Sequence, residues 1–267
     1  MQVGPYVADR LMPRIVEAYA GRSNIMFQAF SDEWVLRLDH GDITRWIIGY
    51  KFDLNRSAAG QLAQDKVATY AALDAAGIKA MPHYLVRSLP HELIHVEELH
   101  KALQDVPVVI KPLDGTGGRD VELFKSVDDA LAMARTSGEP AWALSPYHDI
   151  QAEYRLIMLD GKCLLMYEKT QATMRGDLKL FNLGFGAVAV DIEDSALGGT
   201  LLGIAQKTMQ TMALRLAAVD VVRLANDSLA VLEVNDGISM EHYARQSDEC
   251  RARVVRVYET ILAAMLG

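Results

Sequence analysis

The chain has 267 residues, of which 51% are hydrophobic and 23% charged, and its formal net charge is −8. These values are typical of a soluble globular protein. They argue against nonspecific nucleic-acid binding, because no lysine- or arginine-rich run offers a basic patch. The N-terminal residues are interrupted by charges and prolines, and no apolar run reaches membrane-spanning length, so we expect neither a signal peptide nor a membrane segment. Cys163 and Cys250 lack metal-ligand spacing, which favours a reducing, cytoplasmic location.

The first half of the chain predicts a short N-terminal region followed by a small β/α unit. Residues 1–56 are expected to hold a helix near 9–20 and strands at 34–38 and 45–48. The alanine-rich segment 57–76 has helical spacing, and Gly77 suits the C-terminal cap of that helix. Further elements are expected in this order: a strand at 81–86, a helix from Ser88 to about 103, a strand at 108–112 and a helix at 127–136.

The second half is richer in strands. Asp160-Gly161 separates two strand-like segments, 153–159 and 162–167, and predicts a hairpin. A helix over 195–217, a second hairpin with strands at 219–224 and 229–234, and a helix over 247–266 complete the chain. We therefore predict an α+β fold with a small lobe over 57–142, a large lobe over 143–267 and a cleft between them.

A glycine-rich turn follows the strand that ends at Lys111. Its residues include Gly115, Thr116, Gly117 and Gly118, and the apolar stretch 121–124 that follows predicts the second strand of a hairpin. Backbone N–H groups of such a turn can approach an anion closely, and Lys111 adds a positive charge beside it. The turn lacks the Gly-Lys-Ser/Thr of a Walker loop, and no helix follows it as in a dinucleotide fingerprint. A plain hairpin turn and a phosphate-binding loop both remain open on this evidence.

Two carboxylates and a carboxamide are predicted to meet on the last hairpin. Glu233 and Asn235 are two residues apart on one strand, so they point to the same face, and Asp220 lies on the partner strand. Oxygen donors of this kind suit a Mg²⁺ ion that bridges phosphate oxygens. The alternative is a polar, solvent-facing side of the hairpin. The apolar neighbours of Glu233 favour burial instead, where carboxylates need a compensating partner.

Lys66 follows Asp65 in the alanine-rich helix. A single helical lysine is usually solvated. Because this one precedes Lys111 by one β/α unit, we expect the two cations to converge on one polyphosphate.

Six motifs in this order resemble the ATP-grasp superfamily over about residues 60–245. They are Asp65-Lys66, Ile110-Lys111-Pro112, the glycine-rich turn, Glu153-Tyr154-Arg155, Val219-Asp220 and Leu232-Glu233-Val234-Asn235. The pattern is most similar to the carboxylate–amine ligases that include glutathione synthetase, D-alanine:D-alanine ligase and the ribosomal-protein glutamate ligase. The resemblance implies the ATP-grasp fold, with ATP between two lobes. It also implies ATP-dependent formation of an amide bond between a small carboxylate and an amine, an amino acid or peptide, through an acyl phosphate with release of ADP and phosphate.

The resemblance implies roles for the polar residues. Lys66 and Lys111 match lysines that hold ATP phosphates, and the glycine-rich turn matches the loop that covers them. The Mg²⁺ ligands match Asp220, Glu233 and Asn235.

The resemblance also implies which residues contact the acyl phosphate and which contact the nucleoside. Arg155 matches an arginine that steadies the acyl phosphate and the acceptor, and Asn182 fits a loop near the transferring phosphate. Adenine and ribose are expected against a hinge formed by Leu144, Ser145, Tyr147 and Asp149. The hinge lacks the glutamate that relatives commonly use for the ribose, and Asp149 is expected to substitute for it.

Three alternatives stay open at this level. They are a small-molecule kinase with the same ATP site, an ATP-binding protein without ligase activity, and a zinc hydrolase. The last rests on His91-Glu92-Leu93-Ile94-His95, which matches HExxH, but the longer zinc motif fails because Glu98 replaces its glycine. A proline-glycine acceptor loop common in relatives is replaced by Asp236-Gly237 after Asn235. A homodimer is compatible with the resemblance, although no helix marks an interface.

Overall fold

A computed structural model describes residues 9–87, 96–103, 106–113 and 120–267. Within these ranges the strands form two four-stranded sheets, one five-stranded sheet and a two-stranded ribbon. No helix in these ranges has the length and apolar character needed to cross a bilayer. The predicted α+β class is confirmed.

The N-terminal region is a helix packed with an antiparallel sheet. Helix α1 spans Leu11–Arg22, and the strands are β1 (Met26–Phe30), β2 (Val35–His40), β3 (Ile43–Ile48) and β4 (Lys51–Phe52), in that order across the sheet. The predicted helix and two strands are confirmed, and β1 and β4 were missed. Alternation in β2 places Leu36 and Leu38 in the core, while β1 is mostly exposed and gives a weaker strand pattern.

The predicted helix over 57–76 is divided in two. Helix α2 spans Ser57–Gln64 and α3 spans Lys66–Ala75. The break occurs at Asp65, whose backbone is extended and whose carboxylate accepts hydrogen bonds from the N–H groups of Val67 and Ala68, both at 2.9 Å. An aspartate that caps a new helix outweighs the alanine-rich pattern around it. Lys66 therefore becomes the first residue of α3.

A four-stranded sheet carries the predicted glycine hairpin. Its strands are β5 (Tyr84–Arg87), β6 (Val108–Pro112), β7 (Glu122–Phe124) and β8 (Ala141–Pro146), in the order β5-β8-β6-β7, with helices α4 (Val96–Leu103) and α5 (Val127–Thr136). β6 and β7 pair antiparallel, so the predicted hairpin is confirmed. Residues 88–95 and 114–119 lie outside the described ranges.

A five-stranded sheet follows in the chain. The remaining elements are β9 (Ile150–Leu159), β10 (Lys162–Thr170), β11 (Thr173–Arg175), β12 (Leu178–Leu180), β13 (Val188–Val190), α6 (Ser195–Thr211), β14 (Leu216–Leu224), β15 (Leu229–Asn235), α7 (Glu241–Ala244) and α8 (Asp248–Leu266). The strand order is β13-β10-β9-β14-β15. The predicted helix over 195–217 was too long, because Ala213 adopts a left-handed backbone and Leu216 already belongs to β14.

Helices pack against both faces of this five-stranded sheet. Ile157 and Leu216 pack in one core cluster with residues of α8 and α1, while Leu156 and Val219 pack in another with residues of α6. Burial on both faces explains why β9 and β14 read as nearly continuous apolar runs. Four charged residues interrupt these strands, Glu153 and Arg155 in β9 and Asp220 and Arg223 in β14. Arg155 and Asp220 need a separate explanation.

Candidate active site

The three predicted metal ligands lie on one face of the β14–β15 hairpin. Asp220 is the direct cross-strand partner of Glu233, and Asn235 follows two residues later, opposite Ala218. The amide of Asn235 donates a hydrogen bond to Oε1 of Glu233 at 3.1 Å. Asp220 has 0% exposed surface. The alternative of a solvent-facing hairpin side is therefore wrong for Asp220.

Arg155 of β9 holds Asp220 through two hydrogen bonds. The residues are cross-strand partners, and Nε and Nη2 of Arg155 donate to Oδ1 and Oδ2 of Asp220 at 2.7 and 2.5 Å. Burial alone would raise the pKa of Asp220, but the positive charges of Arg155 and Lys169 outweigh burial and lower that pKa to about 2. Asp220 is therefore ionised at neutral pH.

Lys169 of β10 joins this cluster and was missed from the sequence. Its Nζ pairs with the carboxylate of Glu153 and lies 3.4 Å from Oδ2 of Asp220, and both Lys169 and Glu153 are buried. Burial raises the pKa of Glu153, and the nearby charge of Lys169 opposes that rise. The signal was a lysine two residues after Tyr167, hence on the same face, but the predicted strand ended too early to include it.

Lys66 and Lys111 lie close enough for their charges to interact. The ammonium of Lys66 donates to the carbonyl oxygens of Pro112 and Leu113 at 3.4 and 3.2 Å, next to the end of β6. Lys66 is buried, so it is not the solvated lysine that is usual on a helix. Burial lowers the pKa of Lys111 to about 8; the negative charge of Glu233 opposes this shift and the positive charge of Lys66 adds to it. The two lysines and the triad thus share one electrostatic environment.

A cavity of about 10 Å³ lies beside this cluster, with Lys66, His83 and Glu233 among its lining residues. Nδ1 of His83 lies 2.9 Å from the carbonyl oxygen of Met81. Burial, then the positive charge of Lys111, holds the pKa of His83 well below its usual range. His83 is therefore neutral and adds no third positive charge beside the lysines. No sequence motif pointed to His83.

The predicted hinge is divided between buried and exposed residues. Leu144 and Ser145 are buried in β8, and Leu144 belongs to the core of the small sheet. The backbone N–H of Tyr147 donates to the carbonyl oxygen of Pro107 at 2.7 Å. Asp149 is exposed and lines an open recess of about 440 Å³ together with His148. Of these residues, Asp149 presents its side chain to a ligand-sized space.

Asn182 lies on a loop that contacts α7. Its Oδ1 accepts a hydrogen bond from the N–H of Gly184 at 2.7 Å and caps a short 3₁₀ turn, Leu183–Phe185. A Cβ atom added to Gly184 would lie 3.0 Å from Nε2 of His242 and 3.1 Å from Oδ1 of Asn182. The next residue, Tyr243, lies against Tyr167, with 4.9 Å between ring centroids. Since Tyr167 is the cross-strand partner of Arg155, α7 and the Asn182 loop both approach the Arg155 side of the site.

Comparisons with known proteins now identify the family. Residues 63–254 match the model of the RimK-like ATP-grasp domain. The chain belongs to this family. It is 28% identical over 194 residues to a probable alpha-L-glutamate ligase of Legionella pneumophila, covering 71% of this chain and 61% of the relative. It is also 28% identical over 163 residues to cyanophycin synthetase of Crocosphaera subtropica, covering 58% of this chain and 18% of that protein. The chain thus spans less than two thirds of either relative.

Solved structures show the same fold for this RimK-like ATP-grasp chain. D-alanine--D-alanine ligase from Bacillus anthracis superposes with a TM-score of 0.59 at 18% identity, covering 78% of this chain and 70% of that one. D-cycloserine synthetase superposes with a TM-score of 0.56 at 24% identity, covering 76% and 71%. The predicted ATP-grasp fold is confirmed.

The N-terminal sheet of this RimK-like chain lies outside the matched family span and contacts the loop after the triad. Nζ of Lys51 in β4 lies 3.3 Å from Oδ1 of Asp236. The N–H of Ile238 donates a hydrogen bond to the carbonyl oxygen of Tyr50 at 2.8 Å. Glu241 accepts hydrogen bonds from the first N–H groups of α1, including that of Leu11 at 2.9 Å. The N-terminal region therefore fixes the position of the segment that links the triad to α7.

The donor set of the hairpin fits a magnesium ion. In the described part of the chain, no group of three or more His, Cys, Asp or Glu side chains is arranged to hold a metal. A metal at the hairpin would therefore use the carboxamide of Asn235 beside the carboxylates of Asp220 and Glu233, and take its other ligands from phosphate or water oxygens. The HExxH residues His91 to His95 lie outside the described ranges, as do Gly115, Thr116, Gly117 and Gly118.

Proposed function

We propose that this protein is an ATP-dependent carboxylate–amine ligase, which forms an amide bond through an acyl phosphate and releases ADP and phosphate. The observation that carries the proposal is a cluster of four cations and three carboxylates on an ATP-grasp fold. Its members are Lys66, Lys111, Arg155, Lys169, Glu153, Asp220 and Glu233. Such a cluster suits a polyphosphate substrate better than a neutral one.

The nucleotide would lie between the small lobe, residues 57–142, and the large lobe, residues 143–267. In this arrangement Lys66 and Lys111 bind the phosphates, and Asp149 at the hinge binds the ribose. Asp220, Glu233 and Asn235 would hold Mg²⁺, which neutralises phosphate oxygens when it is bound. The covering loop would be formed by Gly115, Thr116, Gly117 and Gly118.

The chemical steps require positioning and charge stabilisation rather than a covalent enzyme intermediate. A substrate carboxylate attacks the γ-phosphorus, and the lysines balance the charge on the departing ADP. Arg155 steadies the acyl phosphate, and Asn182 lies near the transferring group. An amine then attacks the acyl carbon, and phosphate leaves.

Amino acids and short peptides are the first substrates to test. The relatives in the comparison are named as a glutamate ligase and a cyanophycin synthetase, and two structural neighbours are named as D-alanine--D-alanine ligase and D-cycloserine synthetase. We also propose a cytoplasmic location, which the free Cys163 and Cys250 support, and a homodimer, which light scattering would test.

The test is a screen for ADP and free phosphate with pairs of amino acids and dipeptides. We expect at least one pair to release both products in equal amounts, with an amide product detected by mass spectrometry. ADP without free phosphate, together with a phosphorylated substrate, would identify a small-molecule kinase. ATP binding without ADP formation across the panel would identify a binding protein.

A further inference from the structure

We propose that His242 is the general base that accepts a proton from the attacking amine. The inference rests on the proposed ligase function and adds a catalytic residue to it. An amine is protonated near neutral pH, whereas only its neutral form can attack an acyl phosphate. A ligase therefore benefits from a proton acceptor on the acceptor side of the acyl group.

The position of His242 carries the inference. Its Nε2 lies next to Gly184 on the loop capped by Asn182, so close that an alanine Cβ there would be 3.0 Å away. Its neighbour Tyr243 contacts Tyr167, which faces Arg155 across the β9–β10 pair. His242 is exposed, so its imidazole is open to a substrate.

The other described histidines lack this combination of position and access. His83 is buried on the lysine side, His148 lines the recess at the hinge, and His100 pairs with Asp128 at 3.2 Å. His40 ends β2, in the N-terminal sheet. Of the described histidines, His242 is the one that lies beside the Asn182 loop.

Several charged groups on the elements packed around α7 have partners. Arg253 of α8 pairs with Asp191 at 2.5 Å and with Glu249 at 2.7 Å. Glu241, on the same helix as His242, is held by the N-terminus of α1. Lys169, two residues beyond Tyr167, pairs with Glu153 and Asp220. Further titratable groups lie beside this helix. They are Arg245, which follows α7, and Tyr50, Tyr167, Tyr243, Cys250 and Tyr258.

The proton step balances without a further reactant. The imidazole of His242 takes one proton from the substrate ammonium, and the freed amine forms the C–N bond at the acyl carbon. The C–O bond to phosphate then breaks, and the departing phosphate carries away the second nitrogen proton. His242 returns its proton to solvent.

The experiment compares two nucleophiles in His242→Gln. One is the best amine from the substrate screen, and the other is hydroxylamine, which is already neutral at pH 7 and needs no base. We expect the rate with the amine at pH 7 to fall about a hundredfold or more, as for loss of a general base. Hydroxamate formation with hydroxylamine should stay within about threefold of the parent rate, and the amine rate of the variant should recover as pH rises.

His40→Gln is the matched control and should leave both rates unchanged, with the same melting temperature as the parent. Equal losses with both nucleophiles, or no loss with the amine, would overturn the role of His242 and leave the ligase function intact. A parent enzyme that forms no ADP with any acid, including acids offered with hydroxylamine, would instead contradict the ligase function and this inference together.

Discussion

Arg155 and Asp220 face each other across β9 and β14 and form two hydrogen bonds, with Asp220 completely buried. A buried ion pair of this kind contributes less to net stability than its geometry suggests, because both charges lose hydration. Removal of one partner is a different matter, since the other charge is then left uncompensated. The pair explains how an arginine and an aspartate persist within strands that are mostly apolar.

Asp220→Asn should destabilise the protein strongly. Loss of one partner of a buried pair costs about 3–5 kcal/mol, and both Arg155 and Lys169 would lose their common carboxylate. Urea denaturation measures the change. Asp160→Asn is the control, because Asp160 pairs with Arg215 at 2.8 Å on the surface, where such pairs contribute about 0–1 kcal/mol. Equal losses of unfolding free energy for the two substitutions would show that the buried Arg155–Asp220 pair matters no more to stability than a surface pair.

Nucleotide affinity should decrease above pH 8. The pKa of Lys111 in the folded protein is about 8, below its ordinary value of 10.5. Below pH 8 the charged lysine therefore destabilises the folded state, and this destabilisation is lost as pH rises from 8 towards 10.5. If phosphate requires the charged form, the Kd for a nonhydrolysable ATP analogue should rise about tenfold between pH 7 and pH 9. Lys111→Arg keeps its positive charge over this range, so its Kd, measured by titration calorimetry, should change little with pH. A parent profile as flat as that of the variant would argue against Lys111 as a phosphate ligand.

Glu233→Gln should reduce turnover about a hundredfold or more while the protein remains folded, because the substitution removes a carboxylate from the proposed magnesium site. The rate of ADP formation at several Mg²⁺ concentrations provides the measurement. The control is Asp227→Asn, in the turn of the same hairpin. Asp227 has a left-handed backbone, which asparagine tolerates, so this substitution should have little effect on turnover. Near-normal ADP formation by Glu233→Gln would remove Glu233 from the metal site.

Gly184→Ala should lower kcat with a small effect on stability. The new Cβ would press on His242 and Asn182 at 3.0 and 3.1 Å, so one of the two side chains must shift. Steady-state kinetics and a thermal melt separate the two effects. Gly203→Ala in the middle of α6 has no atom within 4 Å of the new Cβ and should stabilise by about 0.5–1 kcal/mol without changing kcat. A kcat for Gly184→Ala equal to that of the parent would show that this contact is dispensable.

Motif order and strand alternation were enough to predict the triad and its placement on one hairpin. Glu233 and Asn235 are related by a local rule, and the hairpin turn between β14 and β15 brings Asp220 opposite them. Helix α5 was predicted at its observed bounds for the same reason, since its pattern and its Ser126 cap are local.

Other elements depended on competing local signals. The alanine-rich run 57–76 reads as one helix, but the capping carboxylate of Asp65 divides it and turns Lys66 towards the end of β6. Strands β1 and β4 gave weak patterns because β1 is mostly exposed and β4 has two residues.

By itself, the sequence determined the ATP-grasp resemblance, through the order of six motifs, and the placement of Asp220, Glu233 and Asn235 on one face of a hairpin, through strand alternation. Only the tertiary structure decided that Lys169 and Glu153 join Arg155 and Asp220. It also decided that His83 is buried near the two lysines and that His242 meets the Asn182 loop. These contacts join residues of different elements, and their free energies depend on burial and on charges that come together when the sheets and helices pack.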